Sequence, residues 1–310
     1  MTGVIRPSAA DPGTIGHSVD RMRLIPDRHR AFSVSETMAR TQFRFPAAIL
    51  DEAVAVGLPC ATGRVRRFDH YDLVNLSLAL DMRSVWTFAV RSWHRVLNVC
   101  HEREAMRYSI GYTPTCPHPG HPGDCRFSVL LPDGAWSERP RPARSQAPVA
   151  TVEFTRPTRW PELPAAVRGL LDDFGDLHFM RLPPTLQQDV GFVRSSGIAD
   201  CAGYALLLRE EGRRRALPIS LAFGLIIGPP FSSMHCWNEV EVDGRRVPID
   251  PLIVSAMLQW GDLDANRWNR YSSPGAILGK LSDEITATAT HDGDLVQITF
   301  PTRSLPLEKE

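Results

Sequence analysis

The sequence predicts an α+β fold, because helix-like and strand-like segments occur along it in mixed, partly segregated order. Apolar residues at helical spacing, together with capping residues, predict helices at residues 45–56, 162–174, 184–193, 201–212 and 275–285. Runs of β-branched and aromatic residues bounded by turn residues predict a strand at 126–131 and hairpins at 235–250 and 286–300.

The first half of the chain is less regular than the second. Residues 85–99 fit either a helix or a strand, and residues 111–123 are expected to form a loop because they include four prolines and three glycines. Residues 138–148 lack apolar periodicity and are predicted to form a linker or exposed loop. We therefore expect an N-terminal α+β extension of unknown role at residues 1–148 and a second domain at residues 149–310.

Composition and charge argue against several classes of protein. Lys plus Arg and Asp plus Glu number 35 each, so no overall charge favours nucleic acid or an anionic membrane. No apolar run approaches the roughly 20 residues of a membrane span, and the N-terminus lacks a secretory signal pattern. The six cysteines are irregularly spaced and do not resemble a disulfide framework. We expect a reduced, cytoplasmic protein with no nucleic-acid or membrane partner.

Cys201 is predicted to lie at the first position of a buried helix. Asp200 is a good N-cap, and Tyr204, Leu207 and Leu208 follow at helical apolar spacing. The helix dipole and the backbone amides favour a thiolate there and should lower the thiol pKa. An ionised Asp200 would oppose this, and we expect its carboxylate to turn toward the helix amides. The alternative is that Cys201 is a small buried apolar residue, as many free cysteines are.

His235 and Asp250 are predicted to lie on one face of a hairpin. Asp243-Gly244 is a two-residue turn signal, and the register that it sets places Trp237 opposite Asp250. His235 is then a diagonal neighbour of Asp250 on the same sheet face, within reach of a hydrogen bond. Taken alone, His235 also suits a hydrogen-bonded core histidine.

The same alternation directs Cys236 to the face opposite His235, where we expect it to pack and not to compete with Cys201 as nucleophile. A thiol, an imidazole and a carboxylate are the groups that nucleophilic acyl transfer needs, since a base activates the nucleophile and an acid orients the base. Cys201, His235 and Asp250 are therefore the candidate catalytic residues.

At these residues the chain resembles the transglutaminase-like superfamily. The matching segments, within about residues 185–255, are Gly197-Ile-Ala-Asp-Cys201-Ala-Gly-Tyr-Ala-Leu-Leu-Leu, His235-Cys-Trp-Asn-Glu-Val-Glu-Val-Asp-Gly and Val247-Pro-Ile-Asp250-Pro. The resemblance implies a papain-like core in which the nucleophile begins a helix packed on an antiparallel sheet. It makes Cys201 the nucleophile, His235 the general base and acid, and Asp250 the orienter of His235. The Cys201 backbone amide would donate to the oxyanion, with Gln187 and Gln188 as weaker candidates.

The resemblance further implies an acyl-cysteine intermediate. An amine acceptor would make the protein an acyltransferase that forms amide bonds, as some bacterial members of the superfamily do in small-molecule biosynthesis. The acyl donor would be a small molecule, a peptide or an acyl carrier protein. A water acceptor would make it an amidase or peptidase, and a non-catalytic interaction module with this fold is the other alternative. No cofactor and no metal is expected.

Four possible zinc ligands, Cys116, His118, His121 and Cys125, lie in the Pro/Gly-rich loop. Their spacings of two, three and four residues do not reproduce the paired spacing of common zinc motifs. We therefore expect a flexible surface loop here and not a metal site.

Overall fold

The structure of the protein, a computed structural model, describes residues 12–82 and 84–306. The α-helices are α1 (Pro12–Met22), α2 (Glu36–Thr41), α3 (Ala47–Ala55), α4 (His70–Ala79), α5 (Val85–Cys100), α6 (Ala165–Asp173), α7 (Val190–Ser196), α8 (Cys201–Arg214) and α9 (Pro251–Trp260). Single 3₁₀ turns lie at Asp27–His29 and Gly275–Ile277.

The strands occur partly in runs without an intervening α-helix and pair mainly antiparallel, as is typical of an α+β protein. They are β1 (Val34–Ser35), β2 (Cys60–Ala61), β3 (Arg67–Phe68), β4 (Ala105–Pro114), β5 (Asp124–Leu130), β6 (Trp136–Pro142), β7 (Ala150–Pro157), β8 (His178–Phe179), β9 (Ile198–Ala199), β10 (Ile219–Ile226), β11 (Phe231–Val242), β12 (Arg245–Ile249), β13 (Leu278–Ser282), β14 (Ala289–His291), β15 (Asp294–Leu295) and β16 (Ile298–Leu305).

The largest sheet in the described residues is antiparallel and has seven strands. Its order is β13-β10-β11-β16-β4-β7, with β12 paired to β11 beyond that path. A four-stranded antiparallel sheet has the order β15-β14-β5-β6, and β8 and β9 form a short parallel pair. Strands from both sides of residue 148 belong to the seven-stranded sheet. β4 pairs with β7, from Ala105 opposite Pro157 to Tyr112 opposite Ala150. The division into domains at residue 148 stays a prediction.

The two faces of β11 pack against different layers. Val240 and the neighbouring Val247 pack with Leu207 of α8 in one core cluster. Trp237 lies three residues before Val240, so its side chain points to the other face of β11. It belongs to another core cluster, with Trp93 of α5 and with residues of α9. Since side chains alternate across a strand, β11 separates α8 from α5 and α9.

Several predicted elements are confirmed. The helices predicted at 45–56, 162–174 and 201–212 correspond to α3, α6 and α8, and the strand at 126–131 corresponds to β5. The ambiguous segment 85–99 is helical, because Ser84 and Thr87 form a capping box in which each side chain accepts a hydrogen bond from the other residue's amide.

Two predicted segments are wrong because a partner strand determines their structure. The helix predicted at 275–285 is a single 3₁₀ turn followed by β13, which pairs with β10. The linker predicted at 138–148 is partly β6, which pairs with β5 from Trp136 to Pro142. These residues lack apolar periodicity, yet backbone hydrogen bonds to β5 still place them in a sheet.

The remaining differences concern element boundaries. Residues 111–114 of the predicted loop belong to β4, and the helix predicted at 184–193 begins only at Val190, where Asp189 caps α7. Asp292-Gly293 is a hairpin turn as predicted, but it joins only β14 to β15. Residues 298–305 form β16, which pairs with β4 and β11.

Candidate active site

Cys201 begins α8, as the sequence predicts. The Asp200 side chain caps this helix by accepting a hydrogen bond from the Gly203 amide at 3.0 Å. The carboxylate is therefore turned toward the helix amides, also as predicted. Burial and, to a smaller extent, the charge of the neighbouring Cys201 thiolate together raise the pKa of Asp200 to about 7. Near neutral pH this carboxyl group is partly protonated, so it opposes a thiolate at Cys201 less than a full charge would.

The Cys201 backbone amide is available to a ligand. Within the described chain it has no hydrogen-bond acceptor, whereas the Gly203 amide binds Asp200 and the Tyr204 amide binds the Asp200 carbonyl. An N–H group at the first position of a helix has no partner inside the helix. This amide can therefore donate to an oxygen bound beside Cys201.

His235 and Asp250 meet as the predicted register requires. The pairs Val240–Val247 and Glu239–Pro248 are those expected from a turn at Asp243-Gly244. His235 Nε2 and Asp250 Oδ2 lie 2.5 Å apart, and both side chains are buried. The other carboxylate oxygen, Asp250 Oδ1, accepts a hydrogen bond from the Ile253 amide at 3.0 Å and so caps α9. The carboxylate is thereby fixed by both of its oxygens.

A gap beside β11 leaves room for these side chains to meet. β11 pairs with β10 along one edge, but on the other edge β16 pairs only with residues 231–232 and β12 only from residue 238 onward. Residues 233–237 thus have no strand on that edge among the described residues. A side chain at the first position of a helix projects beyond the helix end, because Cα–Cβ bonds tilt toward the N-terminus. Cys201 accordingly reaches this part of β11.

The Cys201 side chain lies beside Cys236, against which it packs, and close enough to His235 for the two groups to interact electrostatically. Because His235 Nε2 is held by Asp250, Nδ1 is the ring nitrogen that faces the thiol. Trp237 stacks on the His235 ring at a centroid distance of 6.3 Å and an interplanar angle of 17°. The structure thus brings together all three candidate residues, and Cys201 remains partly exposed.

The electrostatics of the site favour a thiolate–imidazolium pair. The pKa of Cys201 lies well below its usual range, because hydrogen bonding from Cys236 and then the positive charge of His235 outweigh the opposing effect of burial. For His235, burial disfavours the charged ring, but the Cys201 thiolate and Asp250 outweigh it and raise the pKa to about 10. Burial raises the pKa of Asp250.

Cys236 packs as predicted, and it is in addition a neighbour of Cys201. Its side chain packs with Leu221 and Phe223 on the face opposite Trp237, and Cys201 packs against the same cluster. Cys201 lies at the helix end and is therefore close to residues from both faces of β11. The contact with Cys201 raises the pKa of Cys236, so Cys236 is the donor thiol of the pair.

Arg181 is a site residue that the sequence analysis missed. Its guanidinium lies over the Trp86 ring, 4.3 Å from the centroid, and its charge contributes to the lowered pKa of Cys201. Its Nε is buried and has no hydrogen-bond partner among the described residues. The Arg181 backbone is fixed by Asn75, whose side-chain amide binds both the Arg181 N–H and carbonyl. Only these long-range contacts place it, so no local pattern could have found it.

A narrow, mostly apolar cleft opens beside Cys201 and His235. Its walls come from both halves of the chain and include Leu78, Trp86, Val90, Trp93, Phe179, Arg181, Ile226, Ser233, Met234, Ile253 and Ala256. The space between these side chains holds little more than a water molecule. A larger group can enter only if the side chains at the opening move.

Neither of the two glutamines considered as oxyanion donors lines the cleft beside Cys201. The Gln187 side-chain amide donates to the Leu182 carbonyl at 2.9 Å, and Gln188 is exposed. The Cys201 amide therefore remains the better candidate donor.

Ligands for a metal lie together at a second place. Cys116, His121 and Cys125 of the Pro/Gly-rich loop region converge with His291 at the end of β14. The expectation of a loop without a metal site overlooked His291, which is far away in sequence. The exposed His118 is not part of this cluster.

Comparison with known proteins does not assign this chain to a family. No protein-family model matches this sequence, and no curated protein shows a significant similarity to it. None of the described helices is both long and apolar enough to cross a membrane.

Proposed function

We propose that this chain is a Cys-His-Asp acyltransferase with a papain-like core of the transglutaminase-like type. The observation that carries the proposal is the meeting of Cys201, His235 and Asp250 from three separate elements, with Asp250 fixed by both oxygens and Cys201 partly exposed. A core histidine needs only one hydrogen-bond partner, and a buried structural cysteine has no need of an imidazole. The arrangement therefore suits catalysis better than a non-catalytic interaction module.

The reaction begins with attack of the Cys201 thiolate on the carbonyl carbon of the donor. The carbonyl oxygen gains the negative charge, and the Cys201 backbone amide donates to it. As the tetrahedral intermediate collapses, the bond to the leaving group breaks and the His235 imidazolium transfers its proton to that group. Cys201 is left as a thioester, His235 is neutral, and Asp250 remains an acceptor for Nε2–H.

The second half of the reaction reverses these roles. Neutral His235 takes a proton from the acceptor as the acceptor attacks the thioester, and the regenerated thiolate leaves. We propose an amine acceptor, so that the product is an amide and the donor an activated small molecule, peptide or acyl carrier protein. The reaction needs a free thiol, which fits the cytoplasm, and all six cysteines are free in the structure. Water as acceptor would give an amidase or peptidase by the same intermediate.

The test is to trap the thioester. The full chain is incubated with a series of acyl thioesters and aryl esters, and intact-mass and peptide mass measurements locate the acyl group. We expect one adduct on Cys201, absent from Cys201→Ala and unchanged in Cys100→Ser, which removes a buried thiol of a different core cluster. Discharge of the adduct is then timed in buffer with and without a panel of amines.

Each outcome decides between the alternatives. Faster discharge by at least one amine, with the matching amide as product, supports the transferase. An adduct that only water discharges supports the hydrolase. If Cys60 and Cys100 are acylated and Cys201 is not, the proposal that this protein is an enzyme is contradicted.

A further inference from the structure

We propose that the protein binds a structural zinc ion between Cys116, His121, Cys125 and His291, at a site distinct from Cys201. One ligand atom from each residue lies within 4.8 Å of every other. Tetrahedral zinc with Zn–S of about 2.3 Å and Zn–N of about 2.0 Å places its ligand atoms roughly 3.3–3.8 Å apart. A small contraction of the cluster therefore forms a closed four-ligand site.

Both histidines present the ring nitrogen that a metal needs. His121 Nδ1 lies 3.0 Å from the Pro122 carbonyl oxygen, so the proton belongs on Nδ1 and the lone pair of Nε2 faces Cys125 Sγ at 3.2 Å. His291 Nδ1 lies 3.3 Å from a carboxylate oxygen of Asp292. Its Nε2 is buried and has no hydrogen-bond partner in the described chain.

This pattern is the one that zinc sites share. A histidine ligand almost always donates its second ring nitrogen to a carbonyl or a carboxylate, which fixes the tautomer and the ring orientation. Here Pro122 and Asp292 provide those two acceptors. Burying a polar atom such as the unpartnered Nε2 of His291 is unfavourable unless the atom gains a partner. A bond from Nε2 to a metal ion would be that partner.

The donor set selects the metal. Two thiolates and two imidazoles suit zinc, whereas magnesium and calcium prefer oxygen ligands. Four protein ligands leave no open position for a substrate, so the ion would be structural. Cys116, Cys125 and His291 are buried, and the two cysteines are not joined as a disulfide. Phe127 packs edge-on against His291 and closes the apolar side of the site.

The site would join parts of the chain that are distant in sequence. Cys116 and His121 lie in the connection between β4 and β5, Cys125 lies in β5, and His291 ends β14. Residues 117–120 of this connection are exposed, so few apolar contacts hold it. Binding of a metal to such a segment contributes directly to its folding free energy. The zinc would attach the Pro/Gly-rich connection to the C-terminal hairpin.

The experiment measures metal content without an activity assay. The full chain is expressed with added zinc, purified under reducing conditions and analysed for bound metals by mass spectrometry. We expect about one zinc per chain, lost from Cys125→Ser and from His291→Ala. The matched controls His118→Ala, from the same loop, and Cys100→Ser should retain the zinc. Cys201→Ala should also retain it, so the zinc site and the proposed catalysis succeed or fail separately.

A measurement on the wild-type chain keeps the proposal testable even if the variants fail to fold. Cobalt exchanged into the wild-type chain should give the visible bands of a tetrahedral ion and the near-ultraviolet charge-transfer band of cobalt–thiolate bonds. A reduced, folded wild-type chain that contains no zinc and gives no such cobalt spectrum overturns the proposal. Loss of the zinc in Cys201→Ala, or in His118→Ala as fully as in His291→Ala, also overturns it.

Discussion

At the scale of single residues, the protonation of the Cys201 thiol is controlled by two neighbours from opposite faces of β11. The Cys236 thiol, as a hydrogen-bond donor, and the positive charge of His235 both lower the pKa of Cys201. The thiolate–imidazolium pair exists above the lowered pKa of Cys201 and below the pKa of His235, about 10. The rate of acylation should therefore increase as the pH rises through the lowered pKa of Cys201. It should fall above about pH 10, when His235 loses the proton that it must donate.

Cys236→Ala should raise the pKa of Cys201 by about one to two units. A hydrogen bond to a charged group contributes about 1.5–3 kcal/mol, and one pKa unit corresponds to about 1.4 kcal/mol. His235→Ala should raise the pKa further, since it removes a charge as well as a hydrogen bond. The measurement is the rate of iodoacetamide alkylation at Cys201 as a function of pH, followed by peptide mass spectrometry.

Cys100→Ala is the control for this experiment, because it removes a buried thiol that belongs to a different core cluster from Cys201. Its Cys201 profile should coincide with that of the wild type. A Cys236→Ala profile that also coincides with the wild type would show that the contact with Cys236 does not stabilise the thiolate.

At the scale of secondary-structure elements, Asp250 serves two functions with one carboxylate. Oδ1 caps α9 through the Ile253 amide, and Oδ2 binds His235. An asparagine has only one acceptor oxygen on its side chain. Asp250→Asn must therefore lose either the cap or the acceptor for Nε2–H, whichever way the amide turns.

We expect Asp250→Asn to slow acylation of Cys201 by about a hundredfold or more, because the imidazolium loses its orienting acceptor. Its free energy of unfolding should fall by no more than about 1 kcal/mol, as for a weakened N-cap. The matched control is Asp189→Ala, which removes the cap that Asp189 provides to the Phe192 amide in α7. That variant should lose similar stability but acylate normally. An Asp250→Asn protein that acylates at the wild-type rate contradicts the role of Asp250.

The elements that local sequence determines are those that the sequence analysis predicted correctly. Asp200 with the apolar spacing after it defines α8, and Asp243-Gly244 fixes the register of β11 and β12, with φ of 49° and 73° at the turn. A β-turn with two positive φ values suits a two-residue hairpin. Local sequence signals were therefore sufficient to predict the positions of Cys201, His235 and Asp250 in these elements.

The features that the sequence analysis missed depend on partners far along the chain. β13 is a strand because β10 lies beside it, and β6 because β5 does. Arg181 reaches the site through Asn75, and His291 reaches the cysteine cluster through the pairing of β14 with β5. No periodicity within a short window contains these contacts, so no local pattern in the sequence could predict them.

At the scale of the whole molecule, the candidate site draws on both halves of the chain. Trp86, Val90 and Trp93 of α5 form one wall of the cleft beside Cys201. β4 lies between β16 and β7 inside the seven-stranded sheet, so its removal would leave two unpaired strand edges. The fragment 149–310 would lack this wall and would expose the remaining side of the cleft and the sheet core to water.

We therefore expect the isolated fragment 149–310 to lack a cooperative unfolding transition, measured by circular dichroism during heating. Co-expression with the fragment 1–148 should restore a folded complex whose Cys201 is acylated like that of the intact chain. A full-length protein with a protease site inserted between Gln146 and Ala147, which are both exposed, controls for the break itself. After cleavage its halves should remain together on size exclusion, because the β4–β7 pairing and the shared core do not depend on that peptide bond. A fragment 149–310 that folds cooperatively alone would instead support two separate domains divided at residue 148.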